Sequence, residues 1–323
     1  MAEWLKAHAW KACKRETVSG VRIPSSPQTF SPCNLFICIL ASMQREFINH
    51  LEKDLNLKIL DVTQIYGGCV NQSFKIETRD ANYFVKINSN SDLFVTEEKG
   101  LITLASTNTF FIPEVITCNV FKETYCLIIE FVESSHPKND FWQLFGQKLS
   151  ELHRNTKDTF GLEYNNYIGS LPQNNTLNSD GIDFFINSRI LPQLKMLDQG
   201  LSINMYSKFD RLISLLPSIL PLDQSSLLHG DLWNGNYLVS NKGEPTLIDP
   251  SIYYGSREVD ISMTKLFGGF PKEFYDAYNS NFPMIEKWED RIDIWNLYPL
   301  LVHANLFGNS YIKQIQFILD KYN

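Results

Sequence analysis

The stretch Leu227–Pro250, LLHGDLWNGNYLVSNKGEPTLIDP, constrains this chain more than any other. It reads as two short apolar strands, Asn236–Ser240 and Thr246–Ile248, joined by the turn Asn241-Lys242-Gly243. Polar groups gather at the open end. His229-Gly230-Asp231 and Asn236 stand before the first strand, and Asp249 follows the second. One carboxylate that can orient an attacking hydroxyl, an amide five residues on, and a second carboxylate form the layout of a kinase-type phosphotransfer centre. In such a centre Asn236 and Asp249 supply hard oxygens for Mg²⁺, which binds through one or two carboxylates plus substrate phosphates. The plain alternative is a polar hairpin whose Asp and Asn only make turns. The Asp–x4–Asn spacing followed by strand-Asp-Pro argues against it.

Composition narrows the class. A net charge of −7, from 29 basic against 36 acidic side chains, gives no basic field for a nucleic-acid backbone. Six cysteines with no CxxC pair imply neither a zinc site nor a disulfide framework, so a reducing cytoplasm is the expected setting. The longest apolar run near the start, Leu35–Leu40, is far short of a membrane span.

HGDLWNGN, IDP and the run from Tyr253-Tyr254-Gly255 through Glu258 and Asp260 to Leu266-Phe267-Gly268-Gly269-Phe270 resemble the fructosamine kinase (ketosamine-3-kinase) family. That family is a branch of the protein-kinase-like, aminoglycoside-phosphotransferase-like fold. HGD is shared across the wider group, whereas the tryptophan after the aspartate and the YYG…LFGGFP run are more specific. The likeness extends from about Met43 to the C-terminus. It implies an α+β, bilobal kinase-like fold, with a small β-rich lobe over 43–132, a larger helical lobe over 133–323, and ATP between them.

Residues 1–42 read differently from the rest. They are basic at first, lack a sustained period, and fit neither a transit peptide nor a secretory signal well. The segment is similar to peptide read through a tRNA gene, so a disordered leader or upstream translation artefact is expected, with Met43 as the working start and the remainder self-sufficient.

From there Gln44–Leu55 has helical spacing. Ile59–Ile65, Ser73–Thr78 and Tyr83–Asn88 read as strands, with Tyr66-Gly67-Gly68-Cys69-Val70-Asn71 between the first two. A Gly-rich hairpin ahead of a strand lysine, Lys86, is how kinase-like proteins cover and clamp ATP phosphates; Gly67, Gly68, Cys69 and Asn71 are the loop candidates. Asp92–Ser106 reads as a helix with Phe94, Leu101, Leu104 and Ala105 inward. The family pattern on Phe94–Leu104 selects Glu97, not Glu98, as the partner of Lys86. Ile112–Ile116 and Thr124–Val132 read as strands, and the resemblance places adenine against the backbone of Glu130-Phe131-Val132.

The second half is helical in pattern, with helices over Phe141–His153, Ile182–Leu197, Met205–Leu216 and Trp288–Leu306. Phe160–Asn175, FGLEYNNYIGSLPQNN, reads as a long, nearly structureless loop, and the resemblance implies a substrate-side lid. His153 and His303 read as structural histidines. Asp260 resembles the buried aspartate that braces the catalytic loop.

The resemblance implies transfer of a phosphoryl group from ATP to the 3-hydroxyl of ketosamines, either small molecules or ribulosamine and fructosamine adducts on protein lysines. Asp231 is the expected base, and Trp233 the expected apolar wall for the sugar. Gly230 stands where protein kinases carry Arg, and no APE-like segment follows, which favours small-molecule-type phosphotransfer. A related aminoglycoside, choline or homoserine kinase and a non-catalytic nucleotide-binding module are the alternatives. The chain is expected to be a monomer, with a redox-linked homodimer through Cys69 as a further expectation, since backbone N–H groups and Lys86 would favour its thiolate. Cys118 and Cys126, on apolar strands, read as buried inert thiols.

Overall fold

The computed structural model describes residues 45–53, 55–65, 71–122, 124–197, 201–221 and 223–322. The leader 1–42 and the loop residues Gly67, Gly68 and Cys69 lie outside the described residues, and with them the proposed disulfide. By contacts the chain divides into two units. Residues 1–90 with 116–131 form one, and 91–115 with 132–323 form the other.

The first unit is a five-stranded sheet in the order β1-β2-β3-β5-β4, where β1 is Ile59–Ile65, β2 Gln72–Thr78, β3 Asn82–Asn88, β4 Val115–Phe121 and β5 Thr124–Glu130. The period-two pattern decides its faces. Val85, Ile76, Cys126 and Ile128 are buried on one face and share a core with Leu51 and Phe47 of the helix over 45–53. Lys86 alternates to the other face of β3. Its strand is central rather than an edge, pairing antiparallel with β2 at Ser73 and with β5 at Leu127, and the lysine is buried. The strand expected over Ile112–Ile116 lies later, at Val115–Phe121, because Phe110 and Ile112 bury into the second unit and only from Val115 does the chain pair in the sheet. Cys126 is buried as expected, whereas Cys118 is only half-buried.

The second unit starts with the helix Ser91–Ser106, which buries Leu93, Phe94, Leu101 and Leu104 and leaves the expected Ala105 exposed. Gly100 explains its allegiance. A Cβ there would stand 3.4 Å from Pro250 and 3.7 Å from Ile252, so the helix lies close against the segment after Asp249. The helices Phe141–Leu152 and Lys272–Asn281 also pack closely. A Cβ on Gly146 would meet the Phe274 carbonyl oxygen at 2.2 Å. The strand Ser225–Leu228 is the middle of three, between Tyr253–Gly255 and Thr156–Lys157. Around them Ile203–Ile219, Trp288–Phe307 and Ile312–Asp320 bury a large apolar core. Among the described residues no helix is long and apolar enough to cross a membrane.

Two expectations change here. Phe160–Asn175 is not structureless: it forms the hairpin Asn166–Ile168/Leu171–Gln173 and is bridged to Asn178 and Tyr254 at its start. Asn166, Gln173 and Asn175 are buried rather than solvated, which reverses the polar-means-loop reading for them. The helix over Ile182–Leu197 is likewise not uniform. It runs Gly181–Phe185, opens into a π-turn at Ile186–Ile190, and closes as Leu191–Met196.

Candidate active site

The hairpin is short, Tyr237–Val239 paired with Pro245–Leu247, and Gly243 takes the left-handed turn position at φ +73°. Its open end holds the catalytic-type residues. Asn236 Nδ2 donates to both the backbone oxygen and Oδ2 of Asp231, each at 2.8 Å, which closes the Asp–x4–Asn loop. With its nitrogen so committed, the Asn236 amide keeps Oδ1 for another partner. Asp249 follows the second strand in a left-handed conformation, φ +55°, uncommon for a non-glycine residue.

The Asp231 carboxyl is pushed up to about 7, chiefly by burial. The Asn236 hydrogen bond opposes that rise, and the neighbouring Asp249 and Asp260 charges add to it.

His229 is fully buried and neutral, its pKa lowered by desolvation. Nε2 lies 2.9 Å from the Ile248 carbonyl, which can only accept, so Nε2 carries the proton. Nδ1 is then left to accept from the Asp231 amide at 3.3 Å. This histidine staples the loop to the second hairpin strand, a role that the HGD motif does not reveal.

Gly230 adopts φ +81°, and a Cβ there would lie 2.1 Å from the Ser251 carbonyl oxygen. An Arg at this position, as in protein kinases, could not fit this backbone. Asp260, expected to brace the loop, does so from the helix Glu258–Lys265. Its Oδ2 accepts from the His229 amide at 2.7 Å and its Oδ1 from the Gly230 amide at 2.9 Å. His153 Nε2 adds a third donor at 3.3 Å, while its Nδ1 meets the Tyr278 hydroxyl at 2.8 Å. A buried carboxylate with three donors is satisfied, and His153 is a structural histidine as expected.

Trp233 is half-buried, edge-on to Phe267 with ring centroids 5.8 Å apart. Gly235 lies beneath it, where a Cβ would come within 2.4 Å of the indole. Phe267 itself is left-handed at φ +56° and packs on His303 at 4.8 Å. A bulky residue so placed is an outlier of the kind that collects at functional sites. No sequence signal marked it, because left-handed backbone is usually flagged by glycine and here Gly268 and Gly269 follow it.

The remaining candidates sit as follows. Asn71 Oδ1 accepts from Asn88 Nδ2 at 2.7 Å, tying the loop end to β3. Glu130 closes β5 opposite Tyr83, and the Phe131 amide donates to the Asn82 carbonyl at 3.1 Å. The Phe131 ring lies under the Lys75 ammonium, 4.8 Å from its centroid. Glu97 is partly buried on the helix Ser91–Ser106, and Val132 is where the chain re-enters the second unit.

The metal question turns on donor chemistry. Among the described residues no cluster of three His, Cys, Asp or Glu could hold an ion alone. One carboxylate, Asp249, and one amide oxygen, Asn236, suit a cation completed by water and phosphate oxygens, which is how Mg²⁺ is usually held.

A five-stranded sheet unit followed by a helical unit carrying this loop defines the protein-kinase-like, aminoglycoside-phosphotransferase-like class. The family model described as fructosamine kinase matches residues 41–323. A Vibrio parahaemolyticus protein named a probable ketoamine kinase is 38% identical over 272 residues, 82% of this chain and 93% of its own length. The chloroplastic protein-ribulosamine 3-kinase of Arabidopsis thaliana is 34% identical, over 91% of this chain and 93% of its length. The crystal structure of a protein assigned as a fructosamine-3-kinase, from Haemophilus somnus, superposes with TM-score 0.77 at 27% identity, covering 85% of this chain and 96% of that one. An aminoglycoside phosphotransferase crystallised with AMP-PNP and hygromycin B aligns at TM-score 0.61 and 13% identity, a likeness of fold alone. The chain belongs to the fructosamine kinase family, and it is a kinase.

Proposed function

We propose that this kinase transfers the γ-phosphoryl group of ATP to the 3-hydroxyl of ketosamines, ribulosamine or fructosamine adducts on lysine. The observation that carries the reading is the closed Asp231–Asn236 loop, held from behind by Asp260, in a chain of this family. That two plant relatives are named protein-ribulosamine 3-kinase supports including ribulosamine adducts among the acceptors.

Asp231 orients the sugar hydroxyl and takes its proton, while the Asn236 amide keeps the carboxylate from rotating away. Trp233 supplies an apolar wall for the sugar's C–H face. Lys86, for which the family pattern selects Glu97 as partner, and the Gly67–Asn71 loop would hold phosphates, and the backbone of Glu130 and Val132 would receive adenine. Asn236 and Asp249 would hold Mg²⁺, which when bound neutralises phosphate charge. Transfer of this kind rests on positioning and electrostatics, so rigid bracing of one carboxylate is the main requirement. A 3-phosphate destabilises the ketosamine and frees the amine, which makes the role deglycation of amines and proteins, in the cytoplasm.

The test is ATP consumption against ribulose-lysine, fructose-lysine, choline and an aminoglycoside. Turnover confined to the ketosamines is expected. Preference for choline or the aminoglycoside would overturn the substrate assignment.

A further inference from the structure

Arg189 is fully buried, the largest such side chain among the described residues, and the scheme above gives it no role. It rides on the π-turn Ile186–Ile190, a distortion that re-aims side chains and is frequent at functional sites. Its guanidinium stacks on Tyr253 at 3.9 Å and Phe184 at 4.6 Å. Nη1 donates to the carbonyls of Asn174 (2.5 Å) and Ser188 (3.0 Å), and Nη2 to Asn175 Oδ1 (2.7 Å). Nε is buried with no hydrogen-bond partner. Among the described residues no carboxylate pairs with this arginine, whereas the buried Arg257 and Arg291 meet Asp223 and Glu258. A charge taken from water without a counter-ion is costly, and an apolar side chain of like volume often serves stability as well or better. Stability alone therefore does not account for an arginine here.

The hydrogen bonds beyond it form a ladder with one direction. Arginine can only donate, so Asn175 must present Oδ1 to it and send Nδ2 onward, to Asn166 Oδ1 at 2.7 Å. Gln173 Nε2 donates to the same Asn166 oxygen at 2.8 Å and to the Ser251 carbonyl at 3.2 Å. Asn166 Nδ2 donates to the Ile252 carbonyl at 2.9 Å. The Tyr298 hydroxyl donates to Gln173 Oε1 at 2.7 Å, fixing that amide too. The ladder thus ends on the backbone that seats the catalytic loop. The Ser251 amide donates to the His229 carbonyl, and the Ser251 carbonyl abuts Gly230. The Tyr253 ring, on which Arg189 stacks, flanks the same glycine at 3.4 Å from its Cβ position.

We propose that Arg189 is a positioning residue for phosphoryl transfer. Through Asn175, Asn166 and Gln173, and through the Tyr253 ring, it fixes the 251–253 backbone that sets the aim of Asp231. The inference rests on Asp231 being the base. It makes the 160–178 segment a strut beneath the loop.

The test compares Arg189→Met, Arg189→Lys and Tyr298→Phe with wild type and with Asp231→Asn, using ATP and ribulose-lysine, or whichever acceptor the wild type turns over. Thermal melts and nucleotide-analogue titration give the folded fraction. Per folded enzyme, Arg189→Met is expected to lose about tenfold or more in kcat, since small misplacements near the chemistry carry such penalties. Its KM for ATP should stay within about twofold, and Arg189→Lys, which keeps a donor and the charge, should retain more kcat. Tyr298→Phe, which removes one ladder bond, should lose severalfold. A kcat per folded Arg189→Met enzyme within about threefold of wild type would overturn the proposal, as would a matching rise in the KM for ATP. Where Arg189→Met does not fold, an unchanged Tyr298→Phe enzyme overturns it instead. Asp231→Asn with wild-type turnover is a separate failure, that of the base itself.

Discussion

At Gly230 the backbone is left-handed, and the Ser251 carbonyl occupies the space of any Cβ. Gly230→Ala should therefore cost more than the ordinary glycine-to-alanine change, on the order of 2 kcal/mol from backbone strain and overlap. A melting temperature several degrees lower and reduced turnover are expected. A variant with wild-type values for both would show that the loop can shift freely. For Asp231→Asn the expected loss of turnover is on the order of 10²–10⁴, the usual worth of acid–base help, with nucleotide affinity nearly intact. Isothermal titration with AMP-PNP beside steady-state rates separates the two. At Trp233 the close approach to Gly235 gives a paired expectation. Trp233→Ala and Gly235→Ala should both raise the KM for the acceptor and leave that for ATP in place, and equal loss on both substrates would refute an acceptor-facing ring.

Elements show what a sequence can and cannot carry. The strands at Ile59–Ile65 and Asn82–Asn88 and the short catalytic hairpin were legible because alternation and turn chemistry are local signals. Asp231, Asn236 and Asp249 stood out for the same reason, since their spacing is fixed within one motif, whereas Asp260 was marked by the family resemblance alone. The 160–175 segment was misread because its Asn and Gln satisfy carbonyls about 80 residues away, at Ser251 and Ile252, and composition does not encode such partners. Arg189 was invisible for a related reason: nothing in a helical pattern announces a π-turn. At this scale the start of the helix Glu258–Lys265 is open to a direct check. Asp260→Asn would turn an NH₂ group toward donors that now share a carboxylate. A kcat loss of at least about tenfold with lowered stability is expected from removing a charged acceptor of buried amides. Wild-type kcat in Asp260→Asn would separate the brace from the chemistry.

For the whole molecule, buried neutral histidines set a limit on the acid side. His153 and His303 both have pKa values lowered chiefly by burial, opposed at His153 by Asp260 and at His303 by its bond to the Pro299 carbonyl. Their folded values lie below the unfolded value of about 6.5, so the unfolded chain takes up protons first as pH falls. The stability tied to them is present above pH 6.5 and lost below it, by up to about 1.4 kcal/mol per pH unit for each histidine. The Asp231 carboxyl, pushed up to about 7, opposes them over the same range, because there the folded form takes up the proton first. The histidine part is therefore read by difference: from pH 7.5 to 5.5 the urea midpoint of His303→Phe should fall less than that of wild type, and an equal change in both would contradict it. The central claim, that an Asp231-centred loop phosphorylates the 3-hydroxyl of a ketosamine, is tested most directly by following ribulose-lysine and ATP with the enzyme by ³¹P and ¹³C NMR. The expected result is a phosphomonoester on O3, then free lysine, with neither formed by Asp231→Asn. Phosphate on another oxygen, or an unmodified ketosamine beside an acceptor of another class that is consumed, would contradict the account.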